Sequence, residues 1–215
     1  MNCIVTAGPT FERLDNVRRL TNFSTGRLGT ELANFLTARG HWVTLLIGES
    51  ATYPGKRKAQ SVKVFSTTSD LRTKLKSFSV KKVDAIFHAA AVGDFTFGKM
   101  FTRDAASKLK PLMPSKKIST RGGSLFVELA PTPKIIAELR GWFPKARIIG
   151  WKFEADGKRA DALSAAARQI AECATDGCVA NGPAYGVGFN LVSAEGQKHF
   201  ANSEKLFSAL ERLLK

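Results

Sequence analysis

Residues 28–47 read LGTELANFLTARGHWVTLLI, and this stretch decides the fold. Its first half, Gly29 to Arg39, carries Leu28, Leu32, Phe35 and Leu36 at helical spacing, and Gly40 is well placed to stop the helix. Trp42 to Ile47 then runs almost wholly apolar, as a strand buried on both faces does. Working back, Cys3 to Ala7 is another short apolar run, closed by Gly8 and Pro9. Strand, helix and strand in that order are the signature of a crossover unit in a parallel sheet. Working forward, Val62 to Phe65, Asp84 to Ala91, Ala146 to Phe153 and Asp176 to Ala180 read as further strands. Helical patterns occupy Ser69 to Phe78, Pro133 to Gly141, Asp161 to Cys173 and Ser203 to Leu214. The alternation predicts an α/β fold over residues 1–215 as one domain: a doubly wound, Rossmann-like parallel sheet with right-handed connections.

One segment breaks the rhythm. From Thr96 to about Gly123 apolar periodicity is weak, but Lys99, Lys108, Lys110, Lys116 and Lys117 are there, before a Gly122-Gly123 turn and the strand-like LFVEL. A basic flap of about residues 96–125, inserted after a central strand and closing over an anion, has this composition; so does a mobile surface loop.

The bulk numbers narrow the classes. Thirty-three Lys and Arg against 18 Asp and Glu give a net charge of +15. The cations are spread along the chain, with nothing longer than short clusters such as Lys56 to Lys58 and Lys116-Lys117, and neither a basic tail nor zinc-finger spacing accompanies them. A solvated basic surface that gathers anionic ligands explains the charge without dedicated nucleic-acid binding. Cys3, Cys173 and Cys178 are too few for a disulfide framework and form no CxxC pair. No apolar run reaches the roughly 18 to 20 residues of a membrane span, and the first residues lack a signal-peptide pattern, so a cytoplasmic protein with reduced thiols is expected.

The first turn argues against a dehydrogenase. Gly8 is followed by Pro9, Thr10 and Phe11, not by the GxGxxG of a dinucleotide site, and neither Tyr53 nor Tyr185 has the lysine of a Tyr-xxx-Lys pair. Ser24, Thr25 and Gly26 instead precede a helix N-terminus, where they either cap the helix or cradle a phosphate. His88 lies in an apolar strand and reads as a core histidine. Asp94 follows the small residues Ala90 and Ala91 at a strand's carboxyl end, as a loop cap or a magnesium ligand.

Taken in order, TAGPTFERLDNVRRLTNFSTGRLG, HAAAVGDF, KKISTRGGSLFVELAPTPKII, IIGWKFEAD and DGCVAN resemble phosphopantothenoylcysteine synthetase along nearly the whole chain. That family joins 4′-phosphopantothenate to L-cysteine on the route to coenzyme A, through an acyl nucleotide made with CTP in most bacteria and ATP in eukaryotes. The resemblance implies Mg²⁺, a homodimer whose sites draw on both chains, and a stand-alone form without the flavoprotein decarboxylase that often precedes this domain.

By the same resemblance, the VRxxxN pattern falls on Val17, Arg18 and Asn22, with Asn22 at the activated acyl group and Arg18 offering its fork to a carboxylate or phosphate. Ser24, Thr25 and Gly26 cradle the substrate phosphate beside Ala90 and Ala91. Asp94 holds the nucleotide or its Mg²⁺, and Gly8, Pro133, Ile135, Ile136, Trp151, Arg168 and Asn181 line the nucleotide side. The flap's catalytic cation falls on Lys116 or Lys117, with Lys108 and Lys110 as outside candidates. Arg168 replaces a triphosphate-binding lysine, and Glu172 reverses the charge of a second, which argues against the usual CTP pocket.

Overall fold

The computed structural model describes residues 1–103, 108–113, 117–119 and 123–214. The chain opens with β1 (Asn2–Ala7), β2 (Phe11–Arg13), β3 (Arg19–Thr21), α1 (Arg27–Ala38), β4 (Trp42–Gly48), β5 (Ser61–Phe65) and α2 (Thr68–Ser77). It continues through β6 (Ala85–His88), β7 (Phe95–Arg103), β8 (Leu109–Leu112), β9 (Leu125–Pro131) and α3 (Ile135–Trp142). It closes with β10 (Arg147–Phe153), α4 (Arg159–Cys173), β11 (Gly177–Asn181), β12 (Phe189–Ser193), β13 (Gly196–Phe200) and α5 (Ser203–Arg212).

An eight-stranded sheet in the order β13-β12-β11-β10-β6-β1-β4-β5 forms the centre. From β11 to β5 every pairing is parallel, so the expected doubly wound, Rossmann-like α/β fold is present. One layer buries Val5, Leu45, Phe87, Ile149 and Val179 under Leu32 and Leu36 of α1 and Leu206 and Leu210 of α5. The opposite face buries Ile4, Leu46, Ile86 and Ile148 under Leu71 and Leu75 of α2 and Ile135 and Leu139 of α3. On that side α4 lays Ala162 and Ala166 on Cys178 and Ala180. Successive strand residues point to opposite faces, and this is why the runs in β1, β4 and β10 are apolar without alternation.

The helix α1 approaches β1 closely because Gly29 has no side chain: a Cβ there would lie 2.6 Å from the Ala7 Cβ and 2.9 Å from the Thr6 carbonyl. All three cysteines are free and buried. Burial pushes the thiols of Cys3 and Cys178 up to about 12.

Among the described residues from Thr96 onward, β7 pairs antiparallel with both β8 and β9 in a separate three-stranded sheet, with an irregular register between Phe97 and Met100. Its strands are largely solvated, so they lack the apolar runs that mark the central sheet. Strand β6 stops at His88, short of the expected Ala91, because the Ala89 and Ala90 amides turn onto Thr6 and the Ala91 amide onto Gly8. The antiparallel β12–β13 edge is an addition to the expected parallel sheet.

Candidate active site at the switch point

Strands β1 and β6 lie side by side, and the chain proceeds outward from them on opposite sides, to β4 and β5 on one and to β10 and β11 on the other. The space above the carboxyl ends of such a pair is where open α/β sheets bind ligands. Two antiparallel pieces frame it. The β2–β3 hairpin follows β1, and the β8-β7-β9 sheet follows β6. Between them is a cleft of about 220 Å³ lined by Thr10, Glu12, Thr21, Asn22, Gly93 and Asp94, with Leu20, Phe95 and Leu129 among its apolar walls.

The frame is held by residues the sequence reading passed over. The Thr10 amide donates to the Ala91 carbonyl at 3.1 Å, and the Thr10 hydroxyl accepts from the Gly93 amide at 2.8 Å. The Glu12 carboxylate accepts from the Thr68 amide at 3.0 Å and the Thr96 hydroxyl at 3.2 Å, tying the hairpin to α2 and β7. The signal for this hairpin was the alternation Thr10-Phe11-Glu12, which is too short to be read as a strand. Below it, the Thr6 hydroxyl accepts from the Ala90 amide at 3.1 Å and faces His88 Nδ1 at 3.0 Å. The hydroxyl can serve either neutral tautomer, donating to a bare Nδ1 or accepting from an Nδ1–H. Burial lowers the His88 pKa from 6.5 to about 4.

Around this cleft the expected substrate residues gather unevenly. Asn22 leaves β3 exposed, with its carboxamide nitrogen donating to the Ala91 and Val92 carbonyls at 3.4 and 3.3 Å. Gly8 turns the chain out of β1 at φ 78°, and an added Cβ would meet the Ala51 Cβ at 2.8 Å. Ser24 and Thr25 do not cap α1. Gly26 takes that position with no side-chain hydrogen bond, while the Thr25 hydroxyl accepts from the Arg27 amide at 3.3 Å. A helix N-terminus without a side-chain cap leaves amide donors for an anion. Asp94 is exposed at the cleft, and its backbone carbonyl accepts from the Thr132 amide at 2.9 Å.

Arg18 does not line the cleft. Its guanidinium instead pairs with the fully buried carboxylate of Asp15, through Nε at 3.1 Å and Nη2 at 2.5 Å, and Nη2 also donates to the Ile118 carbonyl at 2.7 Å. That pairing holds the Asp15 carboxyl far below the usual carboxylate range, with the backbone amides of Ile118, Val17 and Arg18 adding to it against burial. Lys117 is exposed next to Ile118; Lys116 lies outside the described residues.

The nucleotide-side expectations divide. Pro133 is exposed, whereas Ile135 and Ile136 open α3 on its buried face, so their side chains belong to the core. Trp151 is half-buried against the α1-side core, and its indole nitrogen and the Asn181 Oδ1 have no hydrogen-bond partner among the described residues. Arg168 is exposed on α4 one turn before Glu172, which pairs with Lys134 at 3.4 Å.

Residues 1–208 match the family described as the DNA/pantothenate metabolism flavoprotein C-terminal domain. The chain belongs to this family. It is 32% identical over 222 residues to the coenzyme A biosynthesis bifunctional protein CoaBC of Thermococcus kodakarensis, covering 98% of this chain and 51% of that protein. It is 33% identical over 162 residues to a cysteine/cysteine sulfinic acid decarboxylase from an unknown prokaryotic organism, covering 74% of this chain and 41% of that protein. The chain thus spans about half the length of the curated relatives it matches or less. Its fold is shared with the DNA/pantothenate metabolism flavoprotein from Streptococcus pneumoniae, at a TM-score of 0.84 and 24% identity, covering 100% of this chain and 98% of that one. In this pantothenate-metabolism family domain no helix is long and apolar enough to cross a membrane, among the described residues.

Proposed function

We propose that the chain is a phosphopantothenate-cysteine ligase, joining 4′-phosphopantothenate and L-cysteine through an acyl nucleotide in coenzyme A biosynthesis. The observation that carries this reading is the switch-point cleft, lined by both Asn22 of the VRxxxN pattern and Asp94 of the HAAAVGDF stretch. Family membership and the likeness to CoaBC support it.

In this reading the carboxylate of phosphopantothenate attacks the nucleotide α-phosphate and pyrophosphate leaves; the cysteine amine then attacks the acyl carbon and the nucleoside monophosphate leaves. Both steps concentrate negative charge, so aligned donors and cations do the work and no side-chain nucleophile is needed. The uncapped N-terminus of α1 receives the substrate phosphate, the Asn22 carboxamide offers donor and acceptor to the acyl phosphate, and Lys116 or Lys117 neutralises the phosphates. Trp151 and Asn181 offer their unpartnered indole N–H and carboxamide oxygen on the nucleotide side.

Among the described residues no three His, Cys, Asp or Glu side chains come together as a metal cage. A single exposed carboxylate, Asp94, fits Mg²⁺, which is commonly held by one or two carboxylates together with substrate phosphates. Bound there, Mg²⁺ would supply charge neutralisation to the triphosphate. CTP and ATP both remain co-substrates to be compared, and the Glu172–Lys134 pair favours a triphosphate contact unlike the two-cation one. The compartment proposed is the cytoplasm.

The test is incubation with phosphopantothenate, cysteine, Mg²⁺ and each nucleotide in turn. Pyrophosphate release should require phosphopantothenate and Mg²⁺, and the amide product should require cysteine; oxidation of NAD(P)H without ligation would overturn the assignment. We also propose a homodimer. The hairpin carries Val17 and Leu20 exposed, with Phe23 just beyond it wholly exposed, which is a costly surface for an isolated chain. Sedimentation at assay concentration should give twice the chain mass, and a fully active monomer would contradict it.

A further inference from the structure

Asp15 and Arg18 stand at the tip of the β2–β3 hairpin, about a hundred residues from the segment they hold. The Asp15 carboxylate accepts from the Val17 amide at 2.9 Å, the Arg18 amide at 2.8 Å and, across the fold, the Ile118 amide at 3.1 Å. Arg18 Nη2 returns to the Ile118 carbonyl at 2.7 Å. Both backbone polar groups of Ile118 are thus bound by one ion pair, and the Ile118 side chain is buried. The Leu14 amide closes the same turn on the Arg18 carbonyl at 2.9 Å. The other end of this hairpin carries Asn22, against the Ala91 and Val92 carbonyls. One short antiparallel unit therefore touches the cleft at one end and the Lys117-Ile118-Ser119 segment at the other.

We infer that Asp15 and Arg18 are positioning residues, a clasp that fixes the backbone at Ile118 and so sets the neighbouring flap cation relative to Asn22. The inference rests on the ligase reading for its kinetic consequence, but the clasp itself has a readout that needs no activity. A carboxylate-to-amide hydrogen bond is charge-assisted and its partner is buried, so losing it frees the Ile118 amide. In Asp15→Asn, hydrogen exchange at the Ile118 amide should accelerate at least about 10-fold while amides in β1 and β6 keep their protection. Acyl-nucleotide formation in a single turnover should slow by about 10-fold, with the KM for nucleotide changed less, because misplacing a cation acts on the transition state.

A merely structural role is separated by a double-mutant cycle. With Lys116→Gln and Lys117→Gln already present, adding Asp15→Asn should cause little further slowing, since groups acting as a unit are not additive. Arg18→Ala removes the donor to the Ile118 carbonyl together with the counter-ion of Asp15, and serves as the second variant where Asp15→Asn does not fold, with the same cycle expected. Unchanged exchange at Ile118, or slowing that multiplies with the lysine changes, would overturn the clasp. If the wild-type chain shows no ligation, the ligase reading falls, and exchange at Ile118 still decides whether the clasp holds that backbone.

Discussion

Asn22→Asp is expected to lower the rate of acyl-nucleotide formation or use by about 100- to 1,000-fold, with the fold intact. The carboxamide and carboxylate have nearly the same shape, so the change is electrostatic. Asn22 directs its nitrogen to the Ala91 and Val92 carbonyls at 3.4 and 3.3 Å, long contacts that an acyl phosphate can take over. A carboxylate there has no hydrogen to donate and sets a negative charge beside a phosphoryl group. Losing one transition-state donor corresponds to about 2.7 to 4 kcal/mol. Single-turnover kinetics with labelled nucleotide reads each half-reaction, and circular dichroism checks folding. Near-normal rates in both half-reactions would remove Asn22 from the site.

The second large effect lies beneath the cleft and is one of pH. Because burial holds the folded His88 pKa at about 4 against 6.5, the unfolded chain binds a proton first as pH falls. The sign is therefore a loss of stability on acidification: it begins near pH 6.5 and is complete near pH 4, amounting to about 3 kcal/mol. Geometry points the same way, since the ring is buried and its Nδ1 faces a single neutral hydroxyl, that of Thr6, so the imidazolium would meet no carboxylate there. Denaturant titrations from pH 7.5 to 4 should show this fall in the wild type and a smaller one in His88→Gln. The carboxylates whose folded pKa is depressed, among them Asp70 and Glu138, lose their contribution in acid in both proteins and drop out of the comparison. Parallel curves for the two would show that His88 is not the group responsible.

How much of this was legible in the chain follows from burial. The strands β1, β4, β6 and β10 lie inside the sheet with helices over both faces, and burial of both faces writes itself as an unbroken apolar run. The helix α1 was legible for a related reason, its stripe of Leu32 and Leu36 meeting the sheet. The hairpin, β7 and β8 were not, because β3 is exposed throughout and these flap strands are half-solvated; of that sheet only β9 was read, as LFVEL. The polar edge strand β13 hides for the same reason.

Of the residues the motifs name, Asn22 and Asp94 line the cleft, and the Ser24-Thr25-Gly26 turn precedes α1 without lining it. Motifs name residues but not the partners that hold them, so Glu12 and Asp15, which work through contacts with Thr68, Thr96 and Ile118, went unread. Arg18 was read as a ligand-facing fork because a sequence shows its charge and not the buried carboxylate that takes it up. Ile135 and Ile136 were assigned with the Pro133–Ile136 stretch by resemblance, and a motif does not show that their side chains turn into the core.

In the proposed ligase reading, the buried thiols bear on how the protein survives its own substrate. An enzyme that consumes free cysteine works amid a pool of small thiols and their disulfides, and exchange with that pool proceeds through the thiolate. With a pKa near 12, Cys3 and Cys178 hold only about one part in 10⁵ as thiolate at neutral pH, and neither sulfur is open to an incoming disulfide. In that reading, swings in the cysteine-to-cystine ratio alter substrate supply while leaving these two residues unmodified.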